Sequence, residues 1–573
     1  MRNGLIGLLA LLFLAAPASA SDQVSSRLRG ILRILTGERT SFGITIHITT
    51  KDEKGTFVVY RDGDEEFRLE FRHPKYGFTL KRAPEQTILA IERHRRQYVG
   101  KGTVAEADSL RPEGMALRIL SADSRLRAWW QSLVAFRGLD RMNEEVAAEL
   151  LQGLIAVNGE KLEFHAWESS DDLSITVGDV TIRYCPIAPP PPRRKLDGPI
   201  HACMEVDRAE LERTILRGLR RAGEVLLPTA ALTGREPFRI VTLTGTPEEI
   251  GTKHGKLLAA EARRAIDSTL HLTGLAYTID RGEWFPSVLR TAWKRLAPHI
   301  PSDHHAEMDA LADAAGIDRE TVRLSNVFPE LFHCSGFAVF GKATKGGKLY
   351  HGRVLDYMTM IGLQDAATVF VVKPKGKHAF VNVGYAGFVG SVTGMNEKKL
   401  SLGEMGGRGE GKWDGVPMAT LMRRALEECG TLDEAIDLWR KSPRTCEYYY
   451  VVADGKIPDA VAVSATPDKF EVLRAGADHD RLGKGIPDAV VLSAGGRLDE
   501  LRRRILAGHG KIDAEAAIRL MARPVAMKSN LHNALFVPQD LVLWIAHADR
   551  ERPAAECEYT KIDFATLLSE FAD

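Results

Sequence analysis

A single cysteine stands at the head of an apolar, strand-like segment near the middle of the chain. Cys334 is followed by two small residues and an apolar run, and the turn GKATKGGK then leads into a second apolar segment that carries Arg353 and Asp356. Two strand patterns joined by a short glycine-containing turn are typical of a β-hairpin. The hairpin would return a cation and an anion to the neighbourhood of the thiol.

This arrangement suits a nucleophile that gains its own base by chain cleavage. If the peptide bond between His333 and Cys334 is cut, Cys334 carries both a thiol and a free α-amine. The unperturbed pKa of an α-amine is about 7.7–8.0, so a useful fraction is neutral and can act as a base near neutral pH. Arg353 would stabilise the thiolate, since a nearby cation lowers the pKa of a thiol. Asp356 would accept hydrogen bonds from the α-ammonium or from Arg353.

Other interpretations of these residues remain open at this point. A lone cysteine in an apolar strand is commonly a small buried hydrophobic residue, and an Arg and an Asp three residues apart are commonly a solvated pair. A papain-like protease needs a separate histidine base, and its C-G-[SA]-C-[WY] pattern is absent. The alternative from another class is an acyl- or lipid-binding envelope protein with an inactive hydrolase-like domain.

Motifs on both sides of Cys334 follow the order found in a known family. They are LTGTPEEIGTKHGKLLAAEA from Leu243, EMDALADAAGIDRETVRLSNVFPEL before the cysteine, GRVLD from Gly352, GMNEKKLSLGE from Gly394 and SNLHNALFVPQDLVLWIAHAD near the C-terminus. Together they resemble the autoproteolytic acyltransferase/hydrolase family that includes acyl-coenzyme A:6-aminopenicillanate acyltransferase (peptidase family C45). More distantly, they resemble the bile salt hydrolases and penicillin V acylases. The resemblance covers roughly residues 239 to 549, a little over half of the chain.

The resemblance implies an N-terminal nucleophile hydrolase with an α+β fold built on a four-layer αββα core. It places the family's nucleophile on Cys334, its second-strand aspartate on Asp356 and the arginine of the bile salt hydrolase branch on Arg353. It also implies self-cleavage between His333 and Cys334, although fungal relatives have glycine in place of His333. Cys334 would then attack an amide or thioester carbonyl and form a thioester acyl-enzyme.

Several residues beyond the hairpin are candidates for oxyanion or substrate contacts. Backbone amides of Gly406 and Gly407, in the segment SLGEMGGRGEGKWDGVPM, can donate to an oxyanion. This segment lacks the GxxxxGK[ST] pattern, so we reject a nucleotide site. Many relatives carry an oxyanion-hole Asn where this chain reads TCEYYYVVADG, with Tyr448 or Tyr449 at about that place. A tyrosine hydroxyl can also donate a hydrogen bond to an oxyanion.

Polar residues in predicted turns complete the candidate site. Asn396 follows a strand pattern, and Asn530, His532 and Asn533 stand in a predicted polar turn before LFVPQDLVLWIAHAD. One of these residues could reach the site, and we include Asn396 and Asn533 as substrate-binding candidates. Ordinary turn chemistry explains the polar residues at 530–533 equally well.

The remaining histidines do not suggest a metal site. His254 begins a helix pattern and is expected to pack rather than to contact substrate, and the pair His304-His305 is expected to be solvated on a charged helix face. No HExxH or CxxC pattern is present. No cofactor is implied, because the nucleophile, the base and the oxyanion donors are all protein groups.

Composition is that of a soluble globular protein. The 573 residues are 44% hydrophobic and 27% charged, with a formal net charge of +1. This balance argues against nucleic acid as a partner. The six cysteines are few for this length, so the chain is not a disulfide-built scaffold. The segment MATLMRRALEECGTLDEAIDLWRKSPR predicts two helices, with Thr431 capping the second.

The first twenty residues have the pattern of a secretory signal peptide. Arg2 precedes the apolar run LIGLLALLFLAA, and Ala18-Ser19-Ala20 forms an A-x-A cleavage site. An uncleaved N-terminal anchor is the alternative, and no other stretch is apolar and long enough to span a membrane. We therefore expect a periplasmic or secreted protein, and association with the cell envelope stays open. An exported location favours water over coenzyme A as the acyl acceptor, so we expect hydrolysis of a small-molecule acyl amide.

The chain divides into a leading and a trailing domain. Residues 21–186 show alternating strand patterns split by Gly/Asp turns, which predicts a β-rich accessory domain. This domain either binds acyl chains in the manner of half-barrel carriers or has no assignable function. The stretch IAPPPPRRKLDGP, residues 187–199, predicts a semi-rigid linker. Residues 200–573 would form the acyltransferase/hydrolase-like domain.

Overall fold

The structure, a computed structural model, describes most of the C-terminal half of the chain and parts of the N-terminal half. The described residues are 41–49, 54–63, 66–73, 75–104, 110, 162–166, 172–177, 180–187, 202–226, 239–328 and 335–570. The predicted signal peptide, nearly all of the predicted linker, His333 and Cys334 lie outside these ranges. The linker boundary between the two predicted domains therefore stays a prediction.

The described residues separate into two compact units. The first comprises Met1–Arg235 with Leu270–Phe285, and the second comprises Glu236–Thr269 with Pro286–Asp573. Both units contain strands and helices, which confirms the predicted mixed α and β fold.

The first unit contains a ten-stranded sheet in the order β10-β6-β5-β4-β3-β2-β1-β9-β8-β7. Its strands are β1 (Ser41–Thr49), β2 (Lys54–Asp62), β3 (Glu66–Arg72), β4 (Phe78–Ala83), β5 (Gln86–Ile91), β6 (Arg96–Lys101), β7 (Leu162–Ala166), β8 (Leu173–Val177), β9 (Val180–Ile187) and β10 (Ala202–Asp207). Neighbouring strands are antiparallel, except that β10 runs parallel to β6. The strand patterns predicted for this region are confirmed for β1 to β9.

One long helix of the first unit, α1 (Arg208–Leu226), packs on this sheet through an apolar stripe at helical spacing. A buried polar cluster fixes its first turn. Arg208 Nε donates to Glu212 Oε1 at 3.0 Å, and Thr87 Oγ1 on β5 donates to the same carboxylate oxygen at 2.5 Å. A buried charge needs such partners, because the interior does not solvate it as water does.

The second unit is built on an eight-stranded and a six-stranded sheet. The first has the order β11-β14-β15-β16-β17-β18-β19-β20, and the second has the order β21-β12-β13-β22-β23-β24. The eight-stranded sheet consists of β11 (Ile240–Gly245), β14 (Ala367–Pro374), β15 (Phe380–Tyr385), β16 (Thr393–Asn396), β17 (Leu400–Gly406), β18 (Tyr448–Asp454), β19 (Asp459–Ala465) and β20 (Phe470–Arg474). The six-stranded sheet consists of β12 (Ser335–Gly341), β13 (Gly347–Asp356), β21 (Ala489–Leu492), β22 (Asn530–Val537), β23 (Val542–His547) and β24 (Thr560–Asp563).

Ten further helices are described along the chain after α1. They are α2 (Pro247–Ile266), α3 (Thr273–Arg281), α4 (Phe285–Leu296), α5 (Ser302–Ala315), α6 (Arg319–Val327), α7 (Met418–Glu428), α8 (Leu432–Lys441), α9 (Gly496–Gly508), α10 (Ala514–Leu520) and α11 (Phe564–Ser569). Helices α7 and α8 are the two predicted from the sequence. Thr431 and Glu434 form a capping box at the start of α8, which confirms the predicted cap.

The two sheets of the second unit face one another. His351 Nδ1 on β13 lies 2.8 Å from Ser401 Oγ on β17, and a Cβ at Gly336 of β12 would lie 3.2 Å from the Met405 side chain of β17. Helices pack on both outer faces. Trp439 of α8 contacts Tyr450 of the eight-stranded sheet, whereas α9 and α10 share an apolar core with Val354 of the six-stranded sheet.

Candidate active site

The predicted hairpin is confirmed and sets the position of the site. Strand β12 begins at Ser335, directly after Cys334 in the chain, and pairs antiparallel with β13 so that Ser335 faces Val354. The Ser335 side chain is buried, and its hydroxyl lies 2.7 Å from the hydroxyl of Ser493. Because Cys334 is covalently attached to Ser335, the groups around Ser335 define the candidate site.

A buried carboxylate and an arginine meet beside Ser335. Arg497 Nη1, in the first turn of α9, donates to Asp356 Oδ2 at 2.6 Å and reaches Ser335 Oγ at 3.4 Å. The backbone amide of Met527 donates to the other oxygen of Asp356 at 2.9 Å. Burial raises the pKa of Asp356, while the Met527 amide and the Arg497 charge act in the opposite direction.

Sequence reasoning missed Arg497. It lies more than 140 residues from Asp356 along the chain, in the arginine-rich helix GRLDELRRRILAG, where its pattern is that of a solvated face. Only the contact between α9 and the end of β13 distinguishes Arg497 from the other arginines of this helix.

Arg353, the predicted cation of the hairpin, is fully buried between the two sheets of the second unit. Its Nη2 lies 3.4 Å from Glu404 Oε2 on β17, and its Nη1 donates to the Val354 carbonyl at 2.5 Å. Glycine is required at position 403 of β17, because a Cβ there would lie 2.8 Å from Arg353 Cδ. Glu404 was also missed as a site residue, although it is the last residue of the quoted GMNEKKLSLGE motif.

Glu404 is one of the residues that line an apolar pocket. Its volume is about 70 Å³. Apolar side chains form most of its wall, among them Ile266, Phe328, Leu355, Tyr385, Phe388 and Leu531. Leu355 and Tyr357, which flank Asp356 in the chain, both line it, so the pocket adjoins the hairpin end that carries Asp356.

A larger polar cleft lies on the Arg497 side. Its volume is about 960 Å³, and Arg497 and Ser493 line it together with three predicted site residues, Gly406, Gly407 and Tyr449. The Gly407 amide donates to the Glu447 carbonyl at 2.8 Å. The cleft therefore brings Gly406, Gly407 and Tyr449 together with the groups that contact Asp356.

The two predicted tyrosines lie on opposite faces of β18. The Tyr449 hydroxyl donates to Glu447 and accepts from Arg481. Burial and Glu447 raise its pKa to about 12, while the Arg481 charge acts in the opposite direction. Tyr448 lies on the same face as Tyr450, which packs against Trp439 of α8. Tyr449 is thus the tyrosine that faces the cleft.

The two predicted asparagines make structural hydrogen bonds. Asn396 Nδ2 donates to the carbonyls of Leu426 and Cys429 at 3.0 and 2.8 Å, and so caps the end of α7. Asn533 Nδ2 donates to the Tyr559 hydroxyl at 2.8 Å. Neither asparagine lines the apolar pocket or the polar cleft.

The predicted polar turn at 530–533 is wrong. These residues begin strand β22, where Asn530, His532 and Asn533 are all fully buried. The polar side chains are paired inside the fold, as in the bond from Asn530 Nδ2 to Asn533 Oδ1 at 2.9 Å. Buried hydrogen-bonded polar residues in a central strand mimic the composition of a turn.

His254 and His304, which were not expected to contact substrate, differ in their surroundings. His254 packs against Phe370, and its Nε2 accepts from the Gly387 amide at 2.9 Å, as the predicted packing role requires. The prediction that His304 is solvated is wrong, because it is 3% exposed and its Nε2 lies 3.1 Å from Glu427 Oε2.

Asp303, His304 and Glu427 have side-chain ligand atoms within 4.8 Å of one another. Lys377 Nζ bonds both carboxylates, so this cluster is a charge-balanced ion-pair network rather than a site with free metal ligands.

Three of the cysteines that the structure describes lack the features of a nucleophile. Burial raises the pKa of Cys185 to about 11 and that of Cys429 to about 12, and it also raises that of Cys557. A nucleophilic thiol needs the opposite shift. The roles predicted for Cys334, Arg353 and Asp356 stay predictions.

Comparison with known proteins finds a family model that matches part of the chain. Residues 343–477, which contain Arg353, Asp356 and Glu404, match the family model of acyl-coenzyme A:6-aminopenicillanic acid acyl-transferase. The resemblance to this family of N-terminal nucleophile enzymes is therefore confirmed.

Individual relatives are distant. A 280-residue segment is 26% identical to Protein dcd1A of Dictyostelium discoideum and covers 44% of this chain and 63% of that protein. A 250-residue segment is 24% identical to N-acylethanolamine-hydrolyzing acid amidase of Mus musculus and covers 41% of this chain and 66% of that protein. Both matches span less than two thirds of the relative. The solved Caenorhabditis elegans ortholog of this amidase aligns with 36% of this chain and 93% of its own at a TM-score of 0.31 and 18% identity.

Proposed function

We propose that this protein is an exported, self-processing cysteine amidohydrolase or acyltransferase that cleaves an N-acyl amide through a Cys334 acyl-enzyme. The observation that carries the proposal is the contact of Arg497 with both Asp356 and Ser335, because it gathers charge at the residue next to Cys334. The family match over residues 343–477 supports the reaction class. The helix–sheet–sheet–helix packing of the second unit supports the four-layer αββα core that the resemblance implies.

Self-cleavage between His333 and Cys334 supplies the base. The freed α-amine of Cys334 takes the thiol proton, and the thiolate adds to the substrate carbonyl carbon. The C–N bond then breaks, the leaving amine takes the proton from the α-ammonium, and the acyl group remains on sulfur as a thioester. Water, activated by the same α-amine, adds to the thioester and releases the carboxylic acid and the free thiol.

The buried charges have separate tasks in this scheme. Asp356, held by Arg497 and the Met527 amide, accepts a hydrogen bond from the α-ammonium of Cys334 and so orients the base. Arg353 lies fully buried beside Glu404, where its charge stabilises the thiolate. Gly406, which lines the polar cleft, is the candidate for an oxyanion contact, whereas the Gly407 amide and the Tyr449 hydroxyl already donate to Glu447 and would have to exchange that partner.

The two cavities suit the two halves of an acyl amide. The apolar pocket beside Glu404 takes the acyl group, since apolar side chains dominate its wall. The polar cleft, which Arg497, Arg481 and Glu447 line, takes the amine and opens the path for water. In an exported protein, water is the available acceptor, so hydrolysis is favoured over transfer to coenzyme A.

Hydrolysis of N-acyl p-nitroanilides tests the proposal. Purified wild type is expected to release p-nitroaniline, and Cys334→Ala is expected to release none. Cys203→Ala removes an exposed cysteine of the first unit and serves as the matched control with wild-type activity. Acid quenching during turnover should trap the acyl group on the fragment that begins at Cys334. Equal activity of wild type and Cys334→Ala would overturn the proposed nucleophile.

An inactive acyl-binding protein gives a different result. It would bind the acyl substrates without release of amine, and Cys334 would resist alkylation by iodoacetamide under native conditions.

A further inference from the structure

The oxyanion of the proposed reaction needs hydrogen-bond donors, and two donors of the polar cleft are already in use. The tetrahedral intermediate carries its negative charge on the former carbonyl oxygen, so donors placed there lower the barrier. The Gly407 amide and the Tyr449 hydroxyl are both bound to Glu447. A donor that keeps no such partner would serve the oxyanion better, and Ser493 has this property.

Ser493 lies beside the first residue of β12. Strands β12 and β21 pair antiparallel, with Gly336 opposite Leu492. The next step of this register brings Ser335 and Ser493 together, and their hydroxyl oxygens are 2.7 Å apart. Ser335 is the chain neighbour of Cys334, and consecutive Cα atoms are about 3.8 Å apart. The Ser493 hydroxyl therefore belongs to the immediate surroundings of the proposed nucleophile.

Burial fixes which of the two hydroxyls donates. The Ser335 side chain is fully buried, and its oxygen accepts from Arg497 Nη1 at 3.4 Å, because a guanidinium can only donate. Among the residues that the structure describes, Ser493 Oγ is the one acceptor within hydrogen-bond distance of the Ser335 hydroxyl. The hydrogen of a buried hydroxyl is rarely left without an acceptor, so Ser335 donates to Ser493.

The hydrogen of the Ser493 hydroxyl is then available to a ligand. Ser493 is half-buried and lines the polar cleft together with Arg497. Within the described part of the chain, its hydroxyl has Ser335 as its one hydrogen-bond partner, and in that bond it accepts. The Arg497 charge at the far end strengthens this chain of bonds, because successive hydrogen bonds polarise one another.

We infer that Ser493 is a further catalytic residue, whose hydroxyl donates a hydrogen bond to the oxyanion formed when Cys334 attacks the substrate carbonyl. The thiolate forms the C–S bond while the π electron pair of the carbonyl moves onto oxygen, which accepts from Ser493. When the C=O bond forms again, the C–N bond breaks and the amine leaves with the proton of the α-ammonium. Ser493 keeps its own proton throughout. The inference rests on the proposed Cys334 acyl-enzyme and adds a donor to it.

Replacement of the carbonyl oxygen by sulfur tests the inference, because sulfur is a weak hydrogen-bond acceptor. The substrates are decanoyl p-nitroanilide and its thioamide analogue, and rates are measured per mole of the fragment that begins at Cys334. The readouts are kcat and the ratio of kcat/KM for the oxygen substrate to that for the sulfur substrate. Ser493→Ala is expected to lower kcat for the oxygen substrate by about 100-fold, as for one lost oxyanion donor, and the ratio by about tenfold, with little change in KM.

Two further replacements of Ser493 separate its hydroxyl from its shape. Ser493→Thr keeps a hydroxyl and is expected to restore both kcat and the ratio, whereas Ser493→Val has the same shape as that variant and should behave like Ser493→Ala. Ser464→Ala removes another serine of the cleft, on β19, and should keep the wild-type ratio. Wild-type kcat and ratio in folded, processed Ser493→Ala would overturn the inference.

Ser335→Ala distinguishes a donor to substrate from a contact that only holds β12. It leaves the Ser493 hydroxyl in the cleft and should retain most of the wild-type ratio. If it lowered the ratio as much as Ser493→Ala does, Ser493 would act only through Ser335, and the inference would be wrong. Should Ser493→Ala fail to cut itself, Ser493→Thr decides. Cutting and a wild-type ratio in that variant support the inference, and loss of either contradicts it.

The same measurements separate this inference from the proposed function. If wild type and Ser493→Ala hydrolyse the oxygen substrate equally while Cys334→Ala is inactive, the inference fails alone and the proposed nucleophile stands. If wild type hydrolyses neither substrate, or if Cys334→Ala is as active as wild type, the proposed function fails and the role of Ser493 fails with it.

Discussion

Arg497 Nη1 lies 2.6 Å from Asp356 Oδ2 and 3.4 Å from the hydroxyl of Ser335. One guanidinium thus contacts both the carboxylate at the end of β13 and the first residue of β12. The Arg497 side chain is 20% exposed and that of Asp356 is 1% exposed, so the pair is shielded from solvent, and Arg497 lines the polar cleft. Pairs shielded from solvent in this way are coupled more strongly than exposed ones.

Arg497→Gln is expected to lower amidase activity and self-processing together. Asp356 would lose its cationic partner and keep the Met527 amide, so its orientation toward Cys334 would relax. We expect a decrease in kcat/KM of about 100-fold, the size typical of a misplaced catalytic group. Stability should fall by about 1–3 kcal/mol in urea unfolding, because a buried acceptor loses its donor.

Arg503→Ala is the control for this prediction. Arg503 lies on the same helix, its side chain is 66% exposed and it pairs with Glu500. It should retain wild-type activity. Wild-type activity in Arg497→Gln would contradict the role given to the Asp356 pair.

The buried Arg353–Glu404 pair predicts a strongly non-additive effect on stability. Glu404→Leu leaves a fully buried guanidinium without its carboxylate partner and should cost about 3–5 kcal/mol of the free energy of unfolding. The double variant Arg353→Met/Glu404→Leu should recover most of that loss, because apolar residues of similar size replace both charges. Neither variant should hydrolyse amides.

An exposed pair supplies the comparison in urea unfolding. Arg290 and Glu320 lie 2.8 Å apart with side chains 40% and 53% exposed. Glu320→Ala should cost less than about 1 kcal/mol. If Glu404→Leu cost no more than this, Arg353 would not be the buried charge described here.

Buried neutral histidines make the protein sensitive to acid. Burial lowers the pKa of His254 and His351 from 6.5 to about 3 and that of His547 to about 4. Between these values and about 6.5 the unfolded chain binds protons that the folded chain does not. The histidine contribution to stability is therefore complete above about pH 6.5 and is lost as the pH falls, by about 1.4 kcal/mol per pH unit for each histidine.

Replacement of one histidine isolates its share of this slope. His254→Gln keeps an acceptor for the Gly387 amide and should reduce the slope of unfolding free energy between pH 6 and 4.5 by about 1.4 kcal/mol per pH unit. Phe370→Leu loosens the same packing without removing a titrating group, so it should lower stability equally at each pH. Equal slopes in wild type and His254→Gln would show that the ring is protonated in the fold.

Local sequence patterns predicted the strands and helices that carry the site, but they could not predict contacts between residues far apart in the chain. The hairpin of β12 and β13 follows from two apolar runs and a glycine turn, and the α8 cap follows from Thr431 and Glu434. Arg497 and Glu404 become site residues only when α9 and β17 are brought against β13, and no local pattern encodes that contact.

Burial explains the wrong predictions. Asn533 and His304 have the composition of surface positions, yet each is paired inside the fold, with Tyr559 and with Glu427 respectively. Strand alternation likewise separates Tyr448 from Tyr449, which the sequence alone left equivalent. Polarity in a sequence therefore does not distinguish a satisfied buried group from a solvated one.

The most direct test of the account is the intact mass and N-terminal sequence of purified wild type and Cys334→Ala. The chain has a mass of 63.2 kDa over 573 residues, so the 240 residues from Cys334 onward should form a fragment of about 26 kDa that begins Cys-Ser-Gly. We predict this fragment in wild type, together with its N-terminal counterpart, and a single uncut chain in Cys334→Ala. An uncut wild-type chain that still hydrolyses amides would contradict the central claim, because Cys334 would then have no α-amine to act as its base.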